Sequence, residues 1–158
     1  MSQQPTTKDT SAPSSLQGGS YIQIELSMRS AVSAISPFVE SLIHLIRESR
    51  LSPGNEEEID VALREALANA IVHGNNEDPS KQVYVSCRCG SDGVSLVIRD
   101  EGQGYDISEF PDPTAPDNIS SSHGRGIYLM KHLMDEVCFE QGGTVVHMRK
   151  STRDNSPR

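Results

Sequence analysis

The stretch EALANAIVHG at residues 65–74 decides how this chain is read. Its apolar residues extend a stripe that starts at Ile59, Ala62 and Leu63 and runs through Ala66, Leu67, Ala70 and Ile71. That is the spacing of a core-facing helix. At the edge of the stripe stand a carboxylate, Glu65, and a carboxamide, Asn69, four residues apart. Four residues is about one helical turn, so the two side chains project together. A general base beside a neutral oxygen ligand for Mg²⁺ suits phosphoryl transfer. His73 follows one turn later within the stripe and reads as a packed or hydrogen-bonded structural histidine. Gly74 is a natural helix stop.

The stripe belongs to a chain of 158 residues, which fits one domain. Hydrophobic residues make up 35% and aromatics 4%, with no Trp, so the core rests on Leu, Ile, Val and Ala. A formal charge of −8 argues against direct nucleic-acid binding, which needs clustered Lys and Arg. No run reaches the roughly 18 apolar residues of a membrane span, and the N-terminus lacks the pattern of a signal peptide. The cysteines are Cys87, Cys89 and Cys138. An odd count without an export signal predicts reduced thiols in a bacterial cytoplasm. Cys87 and Cys89 alternate in a predicted strand and read as buried thiols, since no His or second Cys pair lies at zinc spacing.

The composition divides the chain into a disordered tail at 1–20, a folded domain at 21–150 and a polar tail at 151–158. Residues 21–28 alternate as a half-buried strand. Residues 30–50 carry helical spacing, with Pro37 either kinking the helix or delaying its start. Glu56, Glu57 and Glu58 open the second helix, where acids complement the positive end of the dipole. Strands are predicted near 81–89, 93–99, 136–140 and 144–149, with a helix over 124–135. Residues 101–123 lack periodicity, and a loop of that length is usually functional or disordered. The order predicts an α+β, two-layer sandwich, with helices on one face of a mixed sheet.

Three further segments carry chemistry. Asp100 ends an apolar strand and enters the turn Glu101-Gly102-Gln103-Gly104. A carboxylate there can accept a hydrogen bond from an amino group such as that of adenine, and the glycines let backbone approach a ligand. His123-Gly124-Arg125-Gly126 precedes an apolar helix, whose first N–H groups form a phosphate cradle that the Arg125 fork can supplement. Gly142-Gly143-Thr144 precedes the last strand and by itself is a hairpin turn.

In this order the segments resemble the ATPase domain of the GHKL superfamily, and more closely the anti-sigma-factor serine/threonine kinases of bacterial partner-switching systems. Glu65, Asn69, His73 and Gly74 resemble that family's N box. Asp100, Gly102 and Gly104 resemble its first glycine box, and Gly124-Arg125-Gly126 its second. Gly143-Thr144 resembles its final Gly-Thr element. The resemblance spans roughly residues 21–150. It implies the Bergerat-type ATP-binding fold, with ATP and Mg²⁺ as ligands. Asn69 would hold Mg²⁺, and His73 would lie in the nucleotide-binding box. Asp100 would bind the adenine amino group, supported by Thr144. Gly102 and Gly104 would shape the pocket for base and ribose, residues 105–123 would be a lid, and Gly124, Arg125 and Gly126 would hold the phosphates. Glu65 would be the general base for a protein hydroxyl.

The resemblance further implies partners: a STAS-domain anti-anti-sigma protein as substrate, a sigma factor held in check, and a second copy in a homodimer. Two functions are compatible with these motifs. One is an ATP-dependent serine/threonine kinase that is also an anti-sigma factor. The other is a nucleotide-binding anti-sigma or adaptor module with little or no kinase activity. Glu65 favours the kinase, because a pure binder has no need of a base.

Overall fold

The computed structural model describes residues 19–104 and 122–153. The expectations for a disordered tail over residues 1–18 and for a lid over 105–121 lie outside the described residues, as does the side chain of His123. Five strands and three helices are described: β1 Tyr21–Arg29, α1 Ile35–Ser49, α2 Glu56–Ala68, β2 Gln82–Gly90, β3 Gly93–Arg99, α3 Ser122–Leu133, β4 Glu136–Glu140 and β5 Val145–Ser151. A short 3-10 turn, Val32–Ala34, leads into α1. Pro37 therefore sits in the first turn of α1, where a missing N–H costs nothing, and it delays the helix rather than kinking it.

The strands form one sheet in the order β1-β2-β3-β5-β4, antiparallel at every pairing. The α+β two-layer sandwich is as expected, but the sheet is not mixed. Two helices in succession between β1 and β2 return the chain to the end it left, so these neighbours run antiparallel. The single helix α3 between β3 and β4 gives those strands the same direction, but β5 inserts between them.

One sheet face is dry. Met28, Val83, Val85, Cys87, Cys89, Val94, Leu96, Ile98, Val146 and Met148 are buried with the helices. Burial, reinforced by the neighbouring Cys89, pushes the Cys87 thiol up to about 12, so it stays protonated and unreactive. The opposite face is polar. Arg88 lies over the Tyr21 ring at 4.0 Å and Arg99 over Tyr84 at 4.7 Å. Ser86 donates to Glu25, and Arg149 pairs with Asp92. The alternation of β2, with Val83, Val85, Cys87 and Cys89 buried and Tyr84, Ser86 and Arg88 half-exposed, fixes its register.

Helix α2 is the centre of the helical layer and packs against both α1 and α3. Its Ile59, Leu63 and Leu67 have no exposed surface. Among the described residues, no helix is long and apolar enough to cross a membrane. Leu67→Ala should lower the unfolding free energy by about 3 kcal/mol, the usual cost of a cavity in a filled core. Urea unfolding checks this, and a loss below about 1 kcal/mol would mean that α2 is not the packing centre.

Candidate functional site: the end of helix α2 against the end of strand β3

The last turn of α2 does not close as an α-helix. Residues Asn69–Gly74 form a π-helical segment, which the Asn75 N–H ends by donating to Ala70 O at 2.8 Å. A π turn is wider than an α turn and occurs often at functional sites. The widening changes which way side chains point. Glu65, still in the α-helical part, is half-buried, and Asn69 is 7% exposed. His73 emerges exposed instead of packed in the stripe, which corrects its expected position. Enough of its ring is covered for desolvation to lower its pKa.

Gly74 is the point of contact with β3. A Cβ on Gly74 would overlap the Asp100 carboxylate, and one on Gly102 would overlap the Gly74 carbonyl. Only backbone without side chains can lie that close. Asp100 is 7% exposed. Its Oδ1 accepts the Gly102 N–H at 2.8 Å, and its own N–H donates to Thr144 O at 2.9 Å. Burial raises the Asp100 pKa, against lowering contributions from the Gly102 bond and the Lys81 charge. Thr144 Oγ1 donates to Gln141 O at 2.9 Å, which leaves its oxygen free to accept.

Asn69, Asp100 and Thr144, from three separate elements, line one small cavity with Ala66, Gly143 and Met130. Gly104 meets Gly142 on the same side, where a Cβ would stand 2.5 Å from Gly142 O. A larger hollow among the described residues, about 870 Å³, lies elsewhere, on the polar sheet face by Arg88 and Arg149.

Helix α3 completes the arrangement. It starts at Ser122, two residues before the expected start. Gly124 and Arg125 thus fall among the first four residues, whose N–H groups have no partner in the helix, while Gly126 lies beyond them. Gly126 acts through its missing side chain. A Cβ there would stand 2.7 Å from Glu65 Oε2 and 3.7 Å from Asn69 Oδ1. Gly124 and Gly126 are buried and Arg125 is exposed, so Arg125 reaches toward solvent at the cradle's rim.

Asn69 bears on whether a cation fits. Its Nδ2 is buried and has no hydrogen-bond partner among the described residues, which leaves it available to a ligand. Its Oδ1 faces the Gly126 side. A neutral oxygen beside a carboxylate fits Mg²⁺, which keeps several waters and takes few protein ligands. No group of three or more His, Cys, Asp or Glu able to hold a metal occurs among the described residues. Asn75, whose side chain is fully buried beside this site, belongs to none of the motifs legible in the sequence. In sequence it is one polar residue in a run of turn formers, and only its burial sets it apart.

A buried carboxamide and carboxylate, glycine turns and a helix N-terminus converge here, and together they define a class. The chain belongs to the histidine kinase-like ATPase domain family, whose model matches residues 28–150. Within the GHKL superfamily it groups with the anti-sigma-factor kinases. It is 38% identical over 111 residues to the anti-sigma F factor of Geobacillus stearothermophilus, covering 65% of this chain and 75% of that one. It is 34% identical over 110 residues to the anti-sigma F factor of Oceanobacillus iheyensis, with the same coverage. The anti-sigma F factor of Priestia megaterium is 38% identical over 112 residues, again covering 65% of this chain and 75% of its own. An ATPase domain implies a site for ATP.

The raised Asp100 pKa has a measurable consequence. A folded-state value above the ordinary 3.8 means that the buried carboxyl favours folding below that pH and loses this contribution as pH rises through the raised value. Asp100→Asn removes the titration. In nucleotide-free protein it should gain stability relative to wild type as pH climbs from about 4 to about 7. Urea midpoints that stay parallel over that range would show that Asp100 is not desolvated.

Proposed function

We propose that the protein is an ATP-dependent serine/threonine protein kinase and anti-sigma factor. Its protein substrate is a STAS-domain antagonist, and its other partner is a sigma factor. The observation that carries the reading is the approach of Gly126 to Glu65 and Asn69 across the α2–α3 contact. A carboxylate and a carboxamide there face the phosphate-binding end of a helix, which is where transfer of a terminal phosphoryl group needs them. The anti-sigma role rests on the relatives, which are named as anti-sigma F factors.

The residues divide the work. Asp100 accepts a hydrogen bond from the adenine amino group, with Thr144, just before β5, as its neighbour. Gly102 and Gly104 keep the walls of the base and ribose pocket at backbone distance. Gly124 and Arg125 offer N–H groups and a guanidinium to the phosphates, and Gly126 leaves the space. Asn69 Oδ1 is the protein ligand for Mg²⁺, whose charge offsets that of the phosphates. Glu65 takes the proton from the substrate hydroxyl as the phosphoryl group is transferred. His73 stands at the rim of the box, not in its core.

Glu65→Gln should retain ATP binding and slow phosphoryl transfer by about 10²- to 10⁴-fold. Incubation with γ-labelled ATP, Mg²⁺ and the STAS protein encoded nearest to this one reads the transfer. Full phosphorylation by the variant would remove Glu65 as the base. Tight ATP binding by wild type with no label transferred to any such antagonist would favour the binding-module alternative.

Mg²⁺ and ATP should also raise the melting temperature of the wild type by mass action on the folded state. Asp100→Asn should shrink that rise, although without nucleotide the same variant gains on wild type as pH climbs. No shift in wild type, together with no heat of binding at about millimolar ATP, would end the nucleotide-site reading.

A further inference from the structure

We propose that Asn75 is a positioning residue that sets where Asp100 points, and through it selects the exocyclic amino group of the base. The inference rests on the nucleotide-site reading and adds a residue to it.

The β2–β3 ladder pairs Tyr84 with Arg99 and goes no further toward the site. Continued in register, Gln82 would lie opposite Glu101. They do not pair directly, because the Asn75 carboxamide lies between them. Its Nδ2 donates to Gln82 O at 3.0 Å, and its Oδ1 accepts the Glu101 N–H at 2.8 Å. Gln82 N–H in turn donates to Glu101 Oε2 at 3.0 Å, which closes the ring Asn75–Gln82–Glu101. Glu101 Oε1 is fixed by the Tyr84 hydroxyl at 2.8 Å.

A side-chain amide has the same donor and acceptor as a peptide group. Here it replaces the missing ladder bonds and holds β3 away from β2. The splay falls at the residue next to Asp100. Without the wedge, the Glu101 N–H and the Gln82 carbonyl lose their partners, and β3 is free to close on β2. Asp100 would then leave the cavity that it shares with Asn69 and Thr144. Asn75 is also tied to the helix end, since its own N–H closes the π turn on Ala70 O. One residue thus links the turn that carries Asn69 to the strand end that carries Asp100.

A purely structural Asn75 would matter for stability alone. A positioning Asn75 also changes base discrimination. The test compares ATP with purine riboside triphosphate, which lacks only the amino group, by calorimetry with Mg²⁺. Wild type should favour ATP by about tenfold, the scale of a hydrogen bond to a charged group. In Asn75→Ala the preference should fall to about twofold. Asn75→Ser keeps a small polar group at the buried position, so it keeps the question answerable if Asn75→Ala unfolds the protein; its hydroxyl is too short to bridge Gln82 O and the Glu101 N–H together, and it should lose the preference similarly. A wild type that prefers ATP, with a folded Asn75→Ala or Asn75→Ser preferring it equally, overturns the positioning role alone. A wild type that binds ATP but does not discriminate overturns the adenine role of Asp100, and this inference with it.

Discussion

The end of helix α2 and the end of strand β3 meet at two glycines. Gly74 lies on the Asp100 carboxylate, and Gly102 lies on the Gly74 carbonyl. Everything else in the site is arranged from this contact. Helix α2 carries Glu65 and Asn69, and β3 delivers Asp100, so the distance between the two halves is set where the glycines touch. A methyl group at either position would separate them, because the obstructing atoms are backbone or a side chain bound to backbone. The π turn belongs to the same constraint. It lets the helix end reach Asp100 while turning His73 outward.

The parts of this arrangement governed by period were legible in the sequence. The stripe through Ile59, Leu63 and Leu67 describes a helix buried on one side, and those residues have no exposed surface. The alternation through Val83, Val85 and Cys87 marks the dry face of β2. Asn69 stood out at the edge of the apolar stripe and Asp100 at the end of an apolar strand, and both are buried. What was not legible depends on geometry that leaves no period. A π turn uses the same residues as an α turn, so His73 reads as packed when the helix is assumed regular. Pairing order is set by which strand inserts beside β3, and β5 looks no different from a strand added at the edge. Asn75 looks like any turn asparagine, because its role lies in what its amide bridges across the chain.

The buried polar groups near the site differ in how well they are satisfied. Asn75 makes both of its side-chain bonds to backbone and so stabilises the fold as it shapes it. Asp100 has one bond to Gly102 N–H, and burial opposes its charge. Asn69 leaves its Nδ2 unpaired. An unsatisfied buried polar atom costs about 1–3 kcal/mol, so a core selected for stability alone would replace it. The incomplete pairing falls on the two residues that the proposed function assigns to ligands, while the complete pairing falls on the residue assigned to the frame.

The same logic separates Glu65 from Asn69. On the proposed reading, Asn69 serves a cation that sits within the nucleotide site, so its oxygen gains from being fixed and dry. Glu65 must meet a hydroxyl brought by a second protein, so it has to remain reachable. Asn69 lies at the start of the π turn, facing the cavity, and is buried. Glu65 lies one turn earlier and is half-buried, with its carboxylate toward Gly126. On the proposed reading, this step from buried to half-buried along one helical turn separates a group held for the nucleotide from one left reachable by a second protein. A binding module would gain from Asn69 at its depth. It would gain nothing from an accessible carboxylate placed beside the phosphate-binding glycine, where its charge opposes that of the nucleotide unless transfer chemistry makes use of it.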